Sequence, residues 1–200
     1  SIGAIAFHGC TGLTSIDIPS SVTSIGTRAF ANCSGLTSIT IPASVINIGD
    51  NPFDNCSGLT SITVDANNPV YDSRNNCNAI IEKATHKLIS GCQNTIIPSN
   101  VRTIGTLAFN GSKLTSVVIP QYVLSIGYQA FSNCSELASI VVDSANTHFD
   151  SREGCNALVE TSSNKLIAGC KNTVIPNSVT VIGNDAFFGC KGLKSISIRS

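Results

Sequence analysis

The sequence repeats one short motif along its length. "CSGLTSITIP", which runs from Cys33 to Pro42, returns as "CTGLTSIDIP" from Cys10, as "CSGLTSITV" from Cys56 and as "CKGLKSISI" from Cys190. Cys10, Cys33 and Cys56 are spaced by about 23 residues, which is the period of a solenoid coil. A unit of that size cannot bury its own apolar side, so we expect the units to stack and share one continuous core.

A second, longer period overlies the first. "CNAIIEKATHKLISGCQNTIIP" at Cys77 to Pro98 returns as "CNALVETSSNKLIAGCKNTVIP" at Cys155 to Pro176. We therefore predict one solenoid domain over residues 1–200, and because its ends fall inside the repeat pattern we expect it to be a fragment of a longer chain. The predicted divisions are repeats at about 1–64, a hairpin module at 65–97, repeats at 98–142, a second hairpin module at 143–175 and a repeat at 176–200.

Within one unit, the residue pattern predicts a short strand followed by turns. Ile39 and Ile41 flank Thr40, and this alternation of β-branched residues is typical of a strand. Pro42 ends the strand because proline cannot donate to a β-ladder. Gly49 permits a tight turn. Ala-Phe pairs, which suggest a helical turn, follow at Ala29-Phe30, Ala108-Phe109, Ala130-Phe131 and Ala186-Phe187.

Each long module is predicted to contain a β-hairpin. "AIIE" and "KLIS" flank the turn "KATH" in the first module, and "ALVE" and "KLIA" flank "TSSN" in the second. The turn sequences differ between the copies while the strand sequences are similar. We therefore expect exposed turns and packed strands.

The pattern C-x-x-L-x-x-I-x-I-P-x-x-V-x-x-I-G-x-x-A-F resembles the BspA-like, Treponema-type leucine-rich repeats of bacterial cell-surface proteins over nearly the whole chain. The resemblance implies an α/β-type repeat solenoid, a right-handed superhelix with short parallel strands on its concave face and short helical turns or loops on its convex side, interrupted here by two hairpin insertions. It also implies attachment to host proteins or other cells. The chain departs from the pattern at 110–114, where "NGSKL" lacks one residue and Ser112 takes the position of the repeated cysteine.

Charge and hydropathy exclude several kinds of partner. Lys and Arg number 12 against 12 Asp and Glu, which leaves no basic stripe for nucleic acid or anionic lipid. Polar residues interrupt every apolar run before it could cross a membrane. We expect a monomer without membrane insertion in this part of the chain. The resemblance implies a location outside the cell or on its surface.

Nine cysteines raise the question of metal binding or disulfides. No C-x-x-C pair is present, so zinc is not expected, and Ser112 in one copy argues that the repeated cysteine is a core residue. Cys77 with Cys92, and Cys155 with Cys170, bracket the hairpins and could form bridges outside the cell, although their spacing alone does not establish the distance that a bridge requires.

The remaining reactive residue types do not form a catalytic pattern. His8, His86 and His148 correspond to Ala31, Asn164 and Val70 in other copies, so no catalytic role recurs. Asp65, Asn67, Asp72 and Asn75 could suggest calcium, but Asx turns and a local Asp72–Arg74 contact explain them more simply. We therefore predict no enzyme activity and no cofactor.

The outward positions of the predicted strands form the candidate ligand-contact surface, which we call the hydroxyl face. Its members are mostly small and polar, whereas tight protein interfaces favour aromatic and arginine anchors, so we expect weak binding per site and a contribution from avidity. The hydroxyl face comprises Thr14, Ser15, Asp17, Thr37, Ser38, Thr40, Thr60, Ser61, Thr63, Thr115, Ser116, Lys194 and Ser195, with Val118 and Ser197 at equivalent outward positions.

Two functions fit these features. The first is a non-catalytic binding or adhesion module that presents the hydroxyl face to a protein or glycan ligand, such as host extracellular matrix. The second is a spacer or substrate-targeting arm for an enzyme domain elsewhere in a longer chain. The hairpin turns at 83–86 and 161–164 are the alternative contact site, since protruding turns often carry recognition.

Overall fold

The structure is a computed structural model that describes residues 1–198, so the last two residues of the repeat predicted at 176–200 lie outside the described residues. Short strands dominate, and two 3₁₀ segments, Arg74–Asn76 and Arg152–Gly154, are the only helical elements among the residues described. The strands are β1 (Ser24–Ile25), β2 (Ser38–Ile41), β3 (Asn47–Ile48), β4 (Ser61–Val64), β5 (Tyr71–Asp72), β6 (Ala79–Glu82), β7 (Lys87–Gly91), β8 (Thr103–Ile104), β9 (Ser116–Ile119), β10 (Ser125–Ile126), β11 (Ser139–Val142), β12 (Phe149–Asp150), β13 (Ala157–Glu160), β14 (Lys165–Gly169) and β15 (Val181–Ile182).

Parallel pairing between successive coils builds the solenoid. β2 pairs with β4 in a register that places Thr40 opposite Thr63, and β9 pairs with β11 with Val118 opposite Val141. A second row of two-residue strands pairs β1 with β3 and β8 with β10. Regular coils therefore contribute one strand to each of two rows, and the molecule is a parallel β-solenoid of about five turns.

Each long module adds antiparallel strands to this parallel frame. β6 pairs antiparallel with both β5 and β7, and β13 pairs in the same way with β12 and β14. Residues 83–86 and 161–164 form the turns between the longer strands. β7 pairs parallel with β8, as β14 does with β15. The last strand of each module thus joins the row of short strands.

The segments around the Ala-Phe pairs are turns, and the predicted helical turns are wrong there. Arg28 and Asn32, on either side of Ala29-Phe30, have φ of 52° and 61°. These left-handed values are incompatible with a right-handed helix. The Phe30 N–H donates to the carbonyl of Pro52 in the next coil (2.9 Å) instead of to a carbonyl one helical turn earlier. The same spacing of positive φ recurs at 107 and 111, 129 and 133, and 185 and 189.

The strands bury alternate side chains, as the sequence predicts. Ile39 is 2% exposed and Ile41 is fully buried, while Thr40 between them is exposed. Leu36, just before β2, is also fully buried. One side of each ladder therefore packs against the core and the other side is open to solvent.

Phenylalanine rings form columns beneath the turns. The ring of Phe30 lies between those of Phe7 and Phe53, with centroid distances of 5.2 Å and 5.4 Å. Phe109 and Phe131 form a second stacked pair at 5.3 Å. Because each ring belongs to a different coil, these contacts hold neighbouring coils together.

The repeated cysteine is confirmed as a core residue in the interior coils, but not at the ends of the stack, where Cys10 is exposed and Cys190 is only partly buried. The thiols of Cys33, Cys56 and Cys134 are buried, and each donates to a phenylalanine carbonyl about one coil earlier, at 3.0 to 3.1 Å. The hydroxyl of Ser112, at the same repeat position, is buried without a hydrogen-bond partner among residues 1–198. This coil therefore lacks a contact that its neighbours make.

Glycine is required where successive coils approach closely. A Cβ on Gly35 would lie 2.3 Å from the carbonyl oxygen of Thr11. Gly49, for which a tight turn is predicted, has no left-handed φ, and its Cβ would lie 2.5 Å from the Thr27 backbone nitrogen. The role of Gly49 is therefore to let two coils touch.

Candidate ligand-contact face

The β2–β4 ladder carries the first part of the hydroxyl face. Thr40 and Thr63 are exposed, and their hydroxyl oxygens are 2.9 Å apart. The Thr37 hydroxyl donates to the carbonyl of Thr14 (3.2 Å), and the Thr60 hydroxyl donates to the carbonyl of Thr37 (3.1 Å). The threonines therefore form ordered columns that run from coil to coil.

The other predicted residues of these coils lie beside the columns. Ser15, Asp17 and Ser38 are exposed, but Ser15 and Asp17 do not belong to a strand. Thr60 and Ser61 are only partly exposed. The structure thus places the N-terminal members of the hydroxyl face together, although Thr60 and Ser61 are less exposed to solvent than the others.

The β9–β11 ladder carries a different surface. Thr115 and Ser116 are exposed, as expected for the hydroxyl face. Val118 and Val141, which stand where the first ladder has Thr40 and Thr63, are 59% and 45% exposed and lie opposite each other. The second ladder therefore presents an apolar pair at the centre of the outward side.

The two ladders belong to separate sheets. The end of the first long module runs beside the first ladder, where the Gln93 N–H donates to the Leu59 carbonyl at 3.1 Å. The hydroxyl face is therefore two patches of two strands each among the described residues.

Lys194 and Ser195 lie at the C-terminal end of the stack. Both are exposed and neither belongs to a strand. Ser195 lines a cleft of about 460 Å³ together with Glu153 and Val174. These two residues are thus separate from the strand ladders.

The cysteine thiols are free, and burial makes several of them less acidic. All nine are unbridged. Burial raises the pKa of Cys56 and Cys134 to about 12 and that of Cys77 to about 11. Because the thiolate is the nucleophilic form, these side chains are poor nucleophiles and poor metal ligands at neutral pH.

The two disulfides considered from the sequence are not formed. The Cys92 thiol donates to the Asn78 carbonyl at 3.3 Å, and the Cys170 thiol donates to the Asn156 carbonyl at 3.2 Å. Cys77 and Cys155 are also buried and free. Hydrogen bonds to the backbone take the place of the bridges.

The oxygen-rich segments of the modules make local contacts. Asp72 pairs with Arg74 and Asp150 with Arg152, each at 2.7 Å, so the predicted Asp–Arg contact is confirmed. The Asp65 carboxylate accepts the Asn67 N–H at 2.8 Å, which is an Asx turn. Within residues 1–198, no group of three His, Cys, Asp or Glu side chains is placed to hold a metal ion.

The histidines are distributed over the surface. His8 and His148 are exposed. His86 is half-buried, with its Nδ1 3.3 Å from the Arg74 guanidinium. In the second module Asn164 takes the place of His86 and accepts from Arg152 at 2.8 Å. The two side chains therefore serve the same structural contact, which fixes the turn of the module.

An asparagine that sequence reasoning passed over organises each module. The Asn68 side chain is fully buried and donates to the carbonyls of Pro42 and Val45, both at 2.8 Å. Its oxygen accepts the N–H groups of Val70 and Tyr71. Asn146 makes the corresponding contacts in the second module. Its recurrence after 78 residues in the printed sequence was the available signal.

No helix among residues 1–198 has both the length and the apolar character needed to span a bilayer.

Known structures share this architecture. A leucine rich cell surface protein from Faecalibacterium prausnitzii A2-165 is 33% identical, and the match covers 89% of this chain and 52% of that one with a TM-score of 0.61. The pneumococcal vaccine antigen PcpA is 25% identical over 62% of this chain and 32% of its own, with a TM-score of 0.54. A leucine-rich repeat protein from Eubacterium ventriosum ATCC 27560, 24% identical, shares the fold over 98% of this chain and 57% of its own, with a TM-score of 0.61.

The chain thus spans between about a third and somewhat more than half of the length of these proteins. No curated protein matches it. The sequence matches the BspA type leucine rich repeat region in six copies, over residues 1–85, 74–165 and 160–200. These matches together cover the whole chain, and it therefore belongs to the BspA-type leucine-rich repeat family.

Proposed function

We propose that this chain is a non-catalytic binding module of a bacterial cell-surface or secreted protein, and that the hydroxyl face contacts a protein or glycan ligand such as host extracellular matrix. The observation that carries the proposal is the ordered threonine column on β2 and β4, with Thr40 and Thr63 exposed in register. The cell-surface description of the Faecalibacterium protein supports the location.

The physical properties of the column suit recognition. Each hydroxyl can both donate and accept, so a threonine that is already bonded to a neighbour retains acceptor capacity for a ligand. The backbone beneath is held in a parallel ladder, which reduces the ordering entropy that binding would otherwise cost. Few large anchors are present, so each coil contributes little and several coils must act together.

The reactive groups favour binding over catalysis. The buried thiols are protonated at neutral pH because burial raises their pKa. The arginines of the modules are paired with aspartates in part-buried contacts. The hydroxyl groups are therefore the best-ordered exposed functional groups on the strands.

A pair of lysine substitutions tests the proposal. The wild-type chain is applied to immobilised collagen, laminin, fibronectin and a glycan array, and captured ligands are taken forward. Thr40→Lys with Thr63→Lys should abolish capture because two cations would replace the central hydroxyls. Ile46→Lys with Ile96→Lys is the charge-matched control, since both side chains are exposed and lie outside the hydroxyl face, and it should retain capture. Circular dichroism should be unchanged in both.

Two results would contradict the proposal. The first is that the wild-type chain captures nothing on these surfaces. The second is that capture persists in both double variants and is lost only when the turns at 83–86 and 161–164 are replaced with Gly-Ser. That outcome would move the contact to the turns.

A further inference from the structure

Two grooves of nearly equal size occupy equivalent places in the two halves of the chain. The first encloses about 200 Å³ and the second about 210 Å³. Each lies where the last strand of a long module, β7 or β14, meets the neighbouring coils. The first groove is lined by Asp50, Asn51, Lys87, Ile89, Gly105 and Thr106. At the corresponding positions the second has Tyr128, Gln129, Lys165, Ile167, Gly183 and Asn184.

The two grooves share a lysine that lies across a glycine. A Cβ on Gly105 would be 3.3 Å from Cε of Lys87, and a Cβ on Gly183 would be 2.9 Å from Cε of Lys165. The lysine stems therefore pack on the backbone, as long cationic side chains do when their charged end reaches water. No carboxylate within residues 1–198 lies within ion-pair distance of either ammonium group.

The grooves differ in charge and in aromatic character at one position. Asp50 places a carboxylate in the first groove together with the Lys87 ammonium. In the second groove Tyr128 replaces that carboxylate, and its side chain is 59% exposed. The second groove therefore combines a cation with an accessible aromatic ring, whereas the first holds both charges and no ring.

Hydrogen bonds fix the ring of Tyr128. Its hydroxyl donates to the Asp185 carboxylate, and Nε2 of Gln129 donates to the same carboxylate oxygen at 3.1 Å. In the first half of the chain the position of Asp185 is taken by Leu107, which cannot anchor a side chain in this way. An exposed aromatic ring held in place is pre-organised for a flat apolar ligand surface.

We propose that the second groove binds a carboxylated pyranose, such as a uronic acid residue of a glycan. The apolar C–H side of the sugar ring would lie on Tyr128, the carboxylate would meet the Lys165 ammonium, and the side-chain amides of Gln129 and Asn184 would bond ring hydroxyls. Drug-sized ligands occupy pockets of roughly 300 Å³ or more, so a groove of this size suits a single sugar ring. The site lies on a different segment of the coil from the hydroxyl face, so either can fail without the other.

Nuclear magnetic resonance titration tests the assignment within one spectrum. D-glucuronic acid is added to the ¹⁵N-labelled chain, with D-glucose as the uncharged comparison. We expect the amide signals of Gly183 and Asn184 to shift, and those of Gly105 and Thr106 in the first groove to stay. Equal shifts in the two grooves, or no shift in either, would overturn the proposal.

Three variants separate the contributions. Tyr128→Ala should weaken the binding of both sugars about tenfold, the effect of losing about 1.4 kcal/mol of ring contact. Lys165→Gln should weaken glucuronate binding about threefold to fivefold and leave glucose unchanged, as expected for a part-exposed ion pair. Tyr122→Ala, which removes a ring that is 55% exposed but outside the groove, is the control and should change nothing.

The variants also give the contradicting results. Undiminished binding in Tyr128→Ala, or equal affinity of the wild-type chain for glucose and glucuronate, would refute the site. Tyr128 is exposed, so its replacement should not disturb the core. Matching melting temperatures for the variants would verify this.

Discussion

Replacing Phe30 with alanine tests whether stacked rings hold the coils together. The Phe30 side chain is fully buried, and the rings of Phe7 and Phe53 lie on its two sides, with centroids 5.2 Å and 5.4 Å away. Truncating a buried phenylalanine costs about 3 to 5 kcal/mol. The two lost ring contacts, each worth about 0.5 to 1.5 kcal/mol, place Phe30 at the upper end of that range. We therefore expect the free energy of unfolding to fall by about 5 kcal/mol.

Urea denaturation followed by circular dichroism measures this change. Phe188→Ala is the matched control, because Phe188 is 51% exposed, and it should cost less than about 0.5 kcal/mol. His86→Ala should cost at most about 1 kcal/mol, the value of its contact with Arg74. A loss as large as 5 kcal/mol could unfold the chain, and Phe30→Leu then provides a smaller truncation. Equal midpoints for the Phe30 and Phe188 alanine variants would refute the reasoning.

Two further predictions concern the cysteine positions. Ser112→Cys should raise the melting temperature by about 2 to 4 °C, because it removes a buried hydroxyl without a partner among residues 1–198. Cys134→Ser should lower the melting temperature. A lower melting temperature for Ser112→Cys in calorimetry would contradict this prediction. Alkaline pH should destabilise the fold, because burial raises the pKa of Cys56 and Cys134 from about 9 to about 12. The stability that these thiols contribute is therefore complete below about pH 9 and is lost as the pH rises towards about 12. Each pH unit in that window removes up to about 1.4 kcal/mol per thiol. The free energy of unfolding should therefore fall less steeply with pH in Cys56→Ala than in the wild-type chain. Equal slopes in the two proteins would show that the thiols are not the cause.

The strands and the core could be predicted from sequence because their signal is local and repeated. Ile39, Thr40 and Ile41 alternate with the period of a strand, and the structure buries the two isoleucines. The repeated cysteine could be assigned to the core because one copy has Ser112 in its place. Both inferences use comparison between copies, which a repeat protein supplies within one chain.

The turns could not be predicted because their conformation depends on neighbouring coils. Ala29 favours a helix, yet the Phe30 N–H donates to the carbonyl of Pro52 in the next coil. Left-handed φ at Arg28 makes this bond possible, and arginine carries no sequence signal for that conformation. Tertiary pairing therefore overrode local preference.

The hydroxyl face was predictable in its first half and less so in its second. Thr40 and Thr63 follow directly from strand alternation. Val118 and Val141 occupy the same outward positions, and a sequence pattern cannot by itself distinguish an exposed valine from a buried one. The groove at Tyr128 was not predicted, because it requires two coils and a module strand to meet.

The parallel pairing at the end of each long module bears on how such a chain can change in length. β7 meets β8 with Lys87 opposite Thr103, and β14 meets β15 with Lys165 opposite Val181, so the same junction is made twice from sequences 78 residues apart. A duplicated segment of that length would have strands at both ends that can pair with the neighbouring coils, and it would contain its own buried side chains. Gene duplication or unequal recombination can therefore lengthen or shorten the array by whole blocks, and one copy can then diverge at a surface position, as Tyr128 differs from Asp50, while the other retains the ancestral surface.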